Sequence, residues 1–358
     1  MYNILSIFSG GGGLDLGFHG DFKFLDKYYP KLNFKTKFAL DLNKDSCQTL
    51  NKNYKYFSDT YIVNDDIMKF EYQKLDKNYD VLIGGFPCVT FSIVGKQIGL
   101  KDDINGILYE SYAKYVEYFK PKVFLAENVK GILSANKGEA IRIIKKRFEV
   151  DGYKLKIYLV NFADFGVPQL RERVLFIGIR SDLKGDFIPP EFTNKKNHIT
   201  SLEAFKNIEQ VKSNNNLMRI YDKTKKMLEN IPEGGNFKDL PEELRIKALM
   251  SNIYRRLDRK KPAYTVLASG GGGTWGYHYK EPRALTNRER ARLQGFPDDY
   301  LFEGSNTEVR RQIGNAVPPS GIYFFAKSIQ NLLDGKKEEI NLQEKNLIKE
   351  YIIQKKLF

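Results

Sequence analysis

Apolar strand patterns and amphipathic helix patterns alternate along the first half of this 358-residue chain, from Tyr2 to about Ile188. This alternation predicts a mainly parallel α/β sheet, because a parallel strand needs a crossover connection before the next one. The last two strand patterns are joined by a short loop, which predicts an antiparallel hairpin at the sheet edge. The predicted strands are Tyr2–Phe8, Tyr61–Val63, Asp80–Ile83, Lys122–Leu125, Lys154–Val160 and Arg173–Ile179, and the predicted helices include Ile107–Phe119 and Ala140–Phe148.

A glycine-rich turn, Phe8-Ser9-Gly10-Gly11-Gly12-Gly13, follows the first strand. Glycines at a strand-to-helix turn let the backbone approach a nucleotide-like ligand, although such turns serve many cofactors and some merely reverse the chain. Asp41 ends the next strand, where a carboxylate can bind ribose hydroxyls, and Asp66 follows the third strand, where it can accept from an adenine amino group. Either acid alone is typical of a solvated strand end, but their order after this turn indicates an adenosine site.

A cysteine follows the strand pattern Asp80–Ile83, in the sequence Gly84-Gly85-Phe86-Pro87-Cys88. A strand that stops at two glycines and is then fixed by proline presents the next side chain at its carboxyl end, where open α/β sheets bind ligands. A cysteine elsewhere is more often a small buried hydrophobic residue. In this setting the sequence favours a nucleophilic thiol.

Composition limits the class of protein. The chain is longer than one typical core, so two domains or one large domain with an insertion are expected. A formal charge of +14 favours an anionic partner, although a lysine-rich solvated surface gives the same value. Two cysteines and three histidines without ligand spacing predict neither a disulfide framework nor a metal site. The absence of eighteen consecutive apolar residues and of a signal-like N-terminus predicts a reduced, cytoplasmic protein.

Regular patterns fade after Pro189-Pro190, and residues 190–280 carry polar and glycine-rich stretches. This change predicts a second, loop-rich domain. Its densest basic cluster, Arg255–Lys261, is a candidate for contacts with anionic groups such as phosphate, and the loop Gly270–Tyr279 for close backbone approach to a ligand. The loop is equally compatible with a flexible hairpin. A charged tail, residues 334–358, suggests no function.

Several further motifs appear in a fixed order, and together with Cys88 they resemble those of the C5-cytosine DNA methyltransferases. The resemblance covers nearly all of the chain from Asn3 to about Gln330. Its motifs are Ala126–Val129, Gln169–Arg173, Arg283–Pro297 and Gln312–Pro319. The resemblance implies a Rossmann-like S-adenosylmethionine-dependent methyltransferase sheet with a smaller, loop-rich DNA-recognition domain. We expect a catalytic and cofactor-binding domain at 1–189, a target-recognition domain at 190–303, and a segment at 304–358 that returns to the catalytic domain before the tail.

The resemblance also implies site residues. Cys88 would add to C6 of cytosine, Glu127 would protonate N3, Arg173 would support the base at O2, and Arg171 would help to order the site. Arg171 and Arg173 alternate along one predicted strand, so they are expected to face the same side. S-adenosylmethionine is expected to bind at Phe8, Ser9, Gly10, Gly12, Gly13, Asp41, Asp66, Pro87 and Asn315.

The chain departs from the family pattern at two positions. Val89 stands where glutamine is usual after the cysteine, and Val94 where alanine or serine is common. The expected partner is double-stranded DNA, bound by a monomer in the bacterial cytoplasm and at the nucleoid, without metal or membrane. A restriction endonuclease acting on the same site is a further expected partner.

Three alternatives stay open at this point. A nicotinamide dehydrogenase would share the glycine turn and the ribose acid, but it would not need the later motifs. A tRNA-modifying branch shares this fold and these motifs with a much reduced recognition region, whereas residues 190–280 are substantial here. A catalytically inactive DNA-binding protein is expected to have lost Cys88 or Glu127, and both are present.

Overall fold

A computed structural model describes residues 1–86, 104–247, 252–268, 273–274 and 276–336. The strands are β1 Tyr2–Ile7, β2 Phe22–Phe24, β3 Lys27–Tyr29, β4 Phe34–Asp41, β5 Tyr61–Asn64, β6 Val81–Gly84, β7 Val123–Val129, β8 Tyr153–Asn161, β9 Gln169–Leu170, β10 Glu172–Arg180 and β11 Ala263–Tyr264. The helices are α1 Gly13–His19, α2 Lys44–Lys52, α3 Tyr54–Phe57, α4 Ile104–Phe119, α5 Glu139–Val150, α6 Ser201–Ala204, α7 Asp222–Glu229, α8 Asn287–Leu293, α9 Asn306–Asn315 and α10 Pro319–Leu333.

Seven strands form one central sheet in the order β5-β4-β1-β6-β7-β10-β8. The first five strands are parallel, while β10 runs antiparallel to both of its neighbours, β7 and β8. The predicted parallel sheet and the predicted antiparallel pair at its edge are therefore confirmed. The strand order reverses at β1, between β4 and β6, and open α/β sheets bind their ligands at such a switch point.

The two faces of the sheet carry separate cores, as alternation along each strand requires. Ile4, Ile83 and Leu125 point to one face, and Leu5, Leu82 and Phe124 point to the other. On the second face, residues of α4 and α5 such as Tyr112 and Ile144 cover the strands. On the first, residues of α1 and α10 pack together, so the C-terminal part of the chain returns to the sheet as expected.

Residues 190–303 contain little regular structure in the part that the structure describes. The core on the α1 face extends into this region, because Phe205, Leu257 and Leu285 belong to it. Two smaller clusters, one around Met227 and one around Tyr277, lie wholly within the region. The division into domains stays a prediction.

One local prediction is wrong. Arg171 and Arg173 do not share a strand, because the chain breaks from regular structure at Arg171, between β9 and β10. β9 leaves the central sheet and pairs in parallel with β11, at Ala263 and Tyr264. The two arginines consequently enter the site from different segments, with different partners.

Candidate active site

A cavity of about 460 Å³ lies at the carboxyl ends of the parallel strands, beside the switch point. The segments that follow β1, β4 and β6 form its walls together with the end of β7, the arginines flanking Glu172 and the end of α9. Its lining residues include Phe8, Ser9, Gly10, Gly13, Asp41, Asn43, Ser46, Gly85, Phe86, Glu127, Asn128, Arg171, Arg173, Arg311, Gln312 and Asn315.

The glycine turn at one end of the cavity has an unusual backbone. Phe8, Gly10 and Gly12 have φ of 52°, 53° and 76°, which is the left-handed region. A Cβ on Gly10 would meet no atom within 4 Å, so the turn leaves open space there for a ligand. The missing side chain and the positive φ together make glycine the residue of choice at this position.

Asp41 holds this turn against the end of β4. Its Oδ2 accepts the N–H of Gly10 at 2.7 Å, and its Oδ1 accepts the N–H of Asn43 at 2.8 Å. Burial raises the pKa of Asp41, and these two backbone donors oppose the rise. Each carboxylate oxygen keeps further acceptor capacity, which suits a ligand that carries hydroxyl donors.

Glu127 is the central acid at the other end of the cavity. Its residue is only 8% exposed, and Nε of Arg173 lies 2.9 Å from its Oε1. The strand register explains the pairing, because Leu175 of β10 lies opposite Glu127, and Arg173, two residues before Leu175, is on the same face. Burial raises the pKa of Glu127, and Arg173 and Arg171 counteract that rise. The site therefore favours a protonated carboxyl more than water does.

The backbone beside Glu127 is held close to the segment that leads towards Cys88. A Cβ on Gly85 would lie 3.2 Å from Oε2 of Glu127. The buried side chain of Asn128 donates from Nδ2 to the carbonyl of Phe86 at 3.1 Å. The motif Glu127-Asn128 thus supplies one side chain to the cavity and one to the wall.

Arg171 lines the cavity, and its guanidinium donates hydrogen bonds to main-chain carbonyls. Nη2 donates to the carbonyls of Gly314 and Ala316, both at 3.0 Å, and Nη1 to that of Val266 at 3.5 Å. Burial lowers the pKa of Arg171 to about 9, with the Arg173 cation adding to the effect. Arg173 faces the acid, whereas Arg171 fastens the segments around Asn315.

The last wall comes from α9 and is tied to α2. Gln312 accepts from Oγ1 of Thr49 at 2.6 Å and donates to the carbonyl of Glu303 at 2.9 Å. These bonds bring residues 312–317 back to the glycine turn. Asn315, which the sequence predicts as a cofactor contact, is exposed and lines the cavity.

Most predicted site residues meet in this cavity, namely Phe8, Ser9, Gly10, Gly13, Asp41, Glu127, Arg171, Arg173 and Asn315. Gly12 and Asp66 do not line it. A Cβ on Gly12 would lie 2.5 Å from the Tyr300 hydroxyl, so this glycine serves packing. Oδ1 of Asp66 accepts the N–H of Met68 at 3.0 Å, and its role with adenine stays a prediction. Pro87, Cys88, Val89 and Val94 lie outside the described residues.

Sequence reasoning missed several lining residues, among them Asn43, Ser46, Asn128, Arg311 and Gln312. Asn43 caps α2 by accepting the N–H of Ser46 at 2.8 Å, a pattern that the sequence could have revealed as a helix start after Asp41. Gln312 and Asn128 stand within motifs already recognised. Arg311 carries no local signal, because its place depends on the return of α9.

The predicted phosphate cluster Arg255–Lys261 needs correction. Arg256 is buried, and its guanidinium donates to four main-chain carbonyls, those of Leu228, Ile231, His278 and Tyr279. It is therefore not available to a phosphate. Lys260 and Lys261 are exposed and keep that role as a prediction. Of the loop Gly270–Tyr279, residues 270–272 and 275 lie outside the described part of the chain.

The described residues contain no group of three or more His, Cys, Asp or Glu side chains that could hold a metal ion. They also contain no helix that combines the length and the apolar character needed to cross a membrane.

Comparison with known proteins gives concordant sequence matches. The sequence model of the C-5 cytosine-specific DNA methylases matches residues 2–331. Type II methyltransferase M.NgoFVII of Neisseria gonorrhoeae is 48% identical over 357 residues, covering 96% of this chain and 90% of that protein. Type II methyltransferase M.BbvI of Brevibacillus brevis is 41% identical over 335 residues, covering 90% of this chain and 89% of that protein.

Solved structures match the same fold. A DNA modification methyltransferase encoded within an Escherichia coli prophage gives a TM-score of 0.68 at 24% identity, covering 93% of this chain and 100% of that chain. A DNMT2 mutant from Spodoptera frugiperda gives a TM-score of 0.62 at 16% identity, covering 92% of this chain and 99% of that chain. At these identities the likeness shows the fold alone.

Proposed function

The chain belongs to the C-5 cytosine-specific DNA methylase family, and on that premise we propose that it methylates cytosine in a specific double-stranded DNA sequence through a covalent adduct at Cys88. Membership makes it a DNA (cytosine-5-)-methyltransferase. The proposal extends this activity to the mechanism, the site residues and the biological setting.

One observation carries the proposal: a buried acid, paired with an arginine, lies where the strand leading to Cys88 opens into the cavity. Glu127 and Phe86 both line this cavity. Phe86 precedes Cys88 by two residues, and each step along the chain spans only about 3.8 Å between Cα atoms. This short separation in the sequence supports a shared task for the Cys88 thiol and Glu127.

The cavity fits S-adenosylmethionine, whose sulfonium supplies an electrophilic methyl group when it is bound. The open space at Gly10 gives a nucleoside room against the backbone, and Asp41 offers acceptors for ribose hydroxyls. Asn315 and Arg311 line the same cavity and would hold the polar remainder of the molecule. The chemistry of these groups matches the cofactor that the family implies.

The protein groups would act on the cytosine ring in sequence. The Cys88 thiolate forms a bond to C6, and the displaced π electrons make C5 nucleophilic while N3 takes a proton from Glu127. C5 would then form its bond to the methyl group as the bond between that methyl and the sulfonium sulfur of S-adenosylmethionine breaks, which would leave S-adenosylhomocysteine. Loss of the C5 proton to a base expels the thiolate, and N3 returns its proton to Glu127. Arg173 would keep Glu127 and the cytosine ring in the same relative position throughout.

Duplex DNA conceals C6 within the base stack, so the target cytosine must be flipped into the cavity. Residues 190–303, the proposed recognition region, would supply the facing wall and read the flanking bases. The net charge of +14 supports binding to a polyanion. We propose that the protein acts as a monomer.

The biological setting is proposed from the relatives. M.NgoFVII and M.BbvI are named Type II methyltransferases. We extend this to a role as the modification enzyme of a bacterial restriction-modification system, acting at the nucleoid with a restriction endonuclease as its counterpart.

The test uses a target duplex that carries 5-fluorocytosine, because fluorine at C5 blocks release of the enzyme. A covalent adduct is expected with S-adenosylmethionine present, and peptide mass mapping should find it at Cys88. Cys88→Ser should lose the adduct and at least about 10³-fold in turnover, as other enzymes do without their nucleophile.

Cys47→Ser is the matched control. Cys47 is the other of the two cysteines, and burial raises the pKa of its thiol to about 12, so it should not react. An adduct that persists in Cys88→Ser would refute the assignment. An adduct with a tRNA substrate but not with DNA would favour the RNA-modifying alternative.

A further inference from the structure

Arg171 occupies a meeting point of three segments. It is 1% exposed, and its guanidinium donates to carbonyls of Gly314, Ala316 and Val266. A buried cation that satisfies several carbonyls fixes their relative positions, since each lost bond would leave a buried acceptor unpaired. Arg171 therefore sets where residues 314–316 lie.

The carbonyls held by Arg171 flank Asn315 on both sides. Ala316 also accepts from Nε2 of Gln294, which is itself completely buried. The following residue abuts the glycine turn, because a Cβ on Gly13 would lie 2.3 Å from the carbonyl oxygen of Val317. Any shift of residues 314–317 would thus alter the cavity wall that faces the nucleotide-like ligand.

Residues 266–268 of the proposed recognition region also contact the 314–316 loop. The N–H of Val266 donates to Oε1 of Gln169 at 2.7 Å. A Cβ on Gly314 would lie 2.3 Å from the backbone nitrogen of Ala268, so only glycine permits this approach. Residues 266–268 and 314–316 are consequently in main-chain contact, with Arg171 bonded to both.

We propose that Arg171 is a positioning residue for the cofactor, acting through the 314–316 loop, and that it does not act on the cytosine base. The inference rests on the proposed binding of S-adenosylmethionine in this cavity. The competing role is direct contact with the base. It is a definite alternative, because Nε of Arg171 has no hydrogen-bond partner among the described residues.

The two roles differ in what a conservative change affects. Lysine at 171 keeps the charge but cannot hold two carbonyls with one planar group. In Arg171→Lys the dissociation constant of S-adenosylhomocysteine, measured without DNA, should rise at least about tenfold, from the loss of a buried bond. The KM for S-adenosylmethionine should rise by more than kcat falls. Arg173→Lys should show the reverse, with kcat reduced at least about a hundredfold and a smaller change in cofactor affinity.

Gly314→Ala provides a second variant that leaves Arg171 in place. The added Cβ must displace residues 266–268 or the 314–316 loop, so it should also weaken S-adenosylhomocysteine binding at least about tenfold. Thermal unfolding of each variant checks that it is folded. If Arg171→Lys does not fold, the affinity of Gly314→Ala tests the inference. Wild-type affinity in either folded variant would overturn the inference. Failure of the wild-type protein to bind S-adenosylhomocysteine would instead refute the proposed cofactor site.

Discussion

Arg173 in the cavity and Arg256 in the proposed recognition region have different kinds of partner. Arg173 meets a carboxylate, Glu127, at the wall of an open cavity. Arg256 is enclosed by four carbonyls in a part of the chain with few helices and strands. Arg288 is likewise fully buried and donates to carbonyls of Ser213, Pro297 and Tyr300. In that region, buried guanidinium groups supply hydrogen-bond donors to carbonyls that are not paired in helices or strands.

This difference explains why a count of basic residues is a poor guide to DNA contacts. Main-chain carbonyls that are buried outside regular structure need donors, and one guanidinium offers five. Part of the positive charge in residues 190–303 is therefore structural. The remaining exposed lysines, such as Lys260, are the ones that can meet phosphate.

The largest effect is expected at the cavity. Glu127→Gln keeps the shape of the side chain but cannot give up a proton, so turnover should fall by about 10²–10⁴-fold. Because the raised pKa of Glu127 favours the acid, wild-type activity that depends on it is present at low pH and lost as pH rises through that pKa. The falling limb of the kcat profile should flatten in the variant. If kcat of Glu127→Gln still fell at alkaline pH as it does in the wild type, that fall would be due to the titration of another group.

In the recognition region the large effect should be on stability. Arg256→Ala leaves four carbonyls without their donor, which should lower the free energy of unfolding by about 3–5 kcal/mol. Arg255→Ala is the matched control. Arg255 stacks on Tyr264 at 4.3 Å from the ring centroid, an interaction that contributes about 1 kcal/mol. Chemical denaturation measures both, and equal losses would remove the distinction between the two arginines.

A smaller effect is expected at the ribose end of the cavity. Asp41→Asn removes the charge that receives the N–H of Gly10, and S-adenosylhomocysteine binding should weaken by about 1.5–3 kcal/mol. Asp59→Asn, an exposed acid paired with Lys35, serves as the control and should bind normally. Calorimetry gives both affinities. Unchanged binding in Asp41→Asn would exclude Asp41 from the cofactor site.

The smallest effect concerns the exposed lysines. Replacing both Lys260 and Lys261 with glutamine should weaken binding to target and scrambled duplexes alike, roughly tenfold. The slope of log affinity against log salt concentration should fall by about 2. Lys146 of α5 and Lys154 of β8 are also exposed but lie outside residues 190–303, so they provide a charge-matched control pair. Loss of target preference with an unchanged salt slope would make these lysines base-reading residues.

The sequence predicts well those features that depend on neighbours in the chain. Strand ends carry Asp41 and Glu127 to one edge of the sheet, and alternation plus motif order was enough to foresee this. Arg171 shows the limit. The spacing of Arg171 and Arg173 predicts one strand, but pairing of β9 with β11, almost a hundred residues away in the sequence, pulls the chain out of the sheet. The prediction for Arg256 is wrong for a related reason, since its carbonyl partners lie 22–28 residues away in the sequence.

The bond between Thr49 and Gln312 spans 263 positions of the sequence, and it has a consequence for the order of assembly. During translation the glycine turn leaves the ribosome early, while the wall that carries Asn315 leaves late. A nascent chain that ended before residue 306 would hold the sheet, Cys88 and Glu127 but would lack α9 and the cofactor wall. Methyl transfer therefore requires the return segment, which is synthesised after the sheet, to dock against α1 and α2.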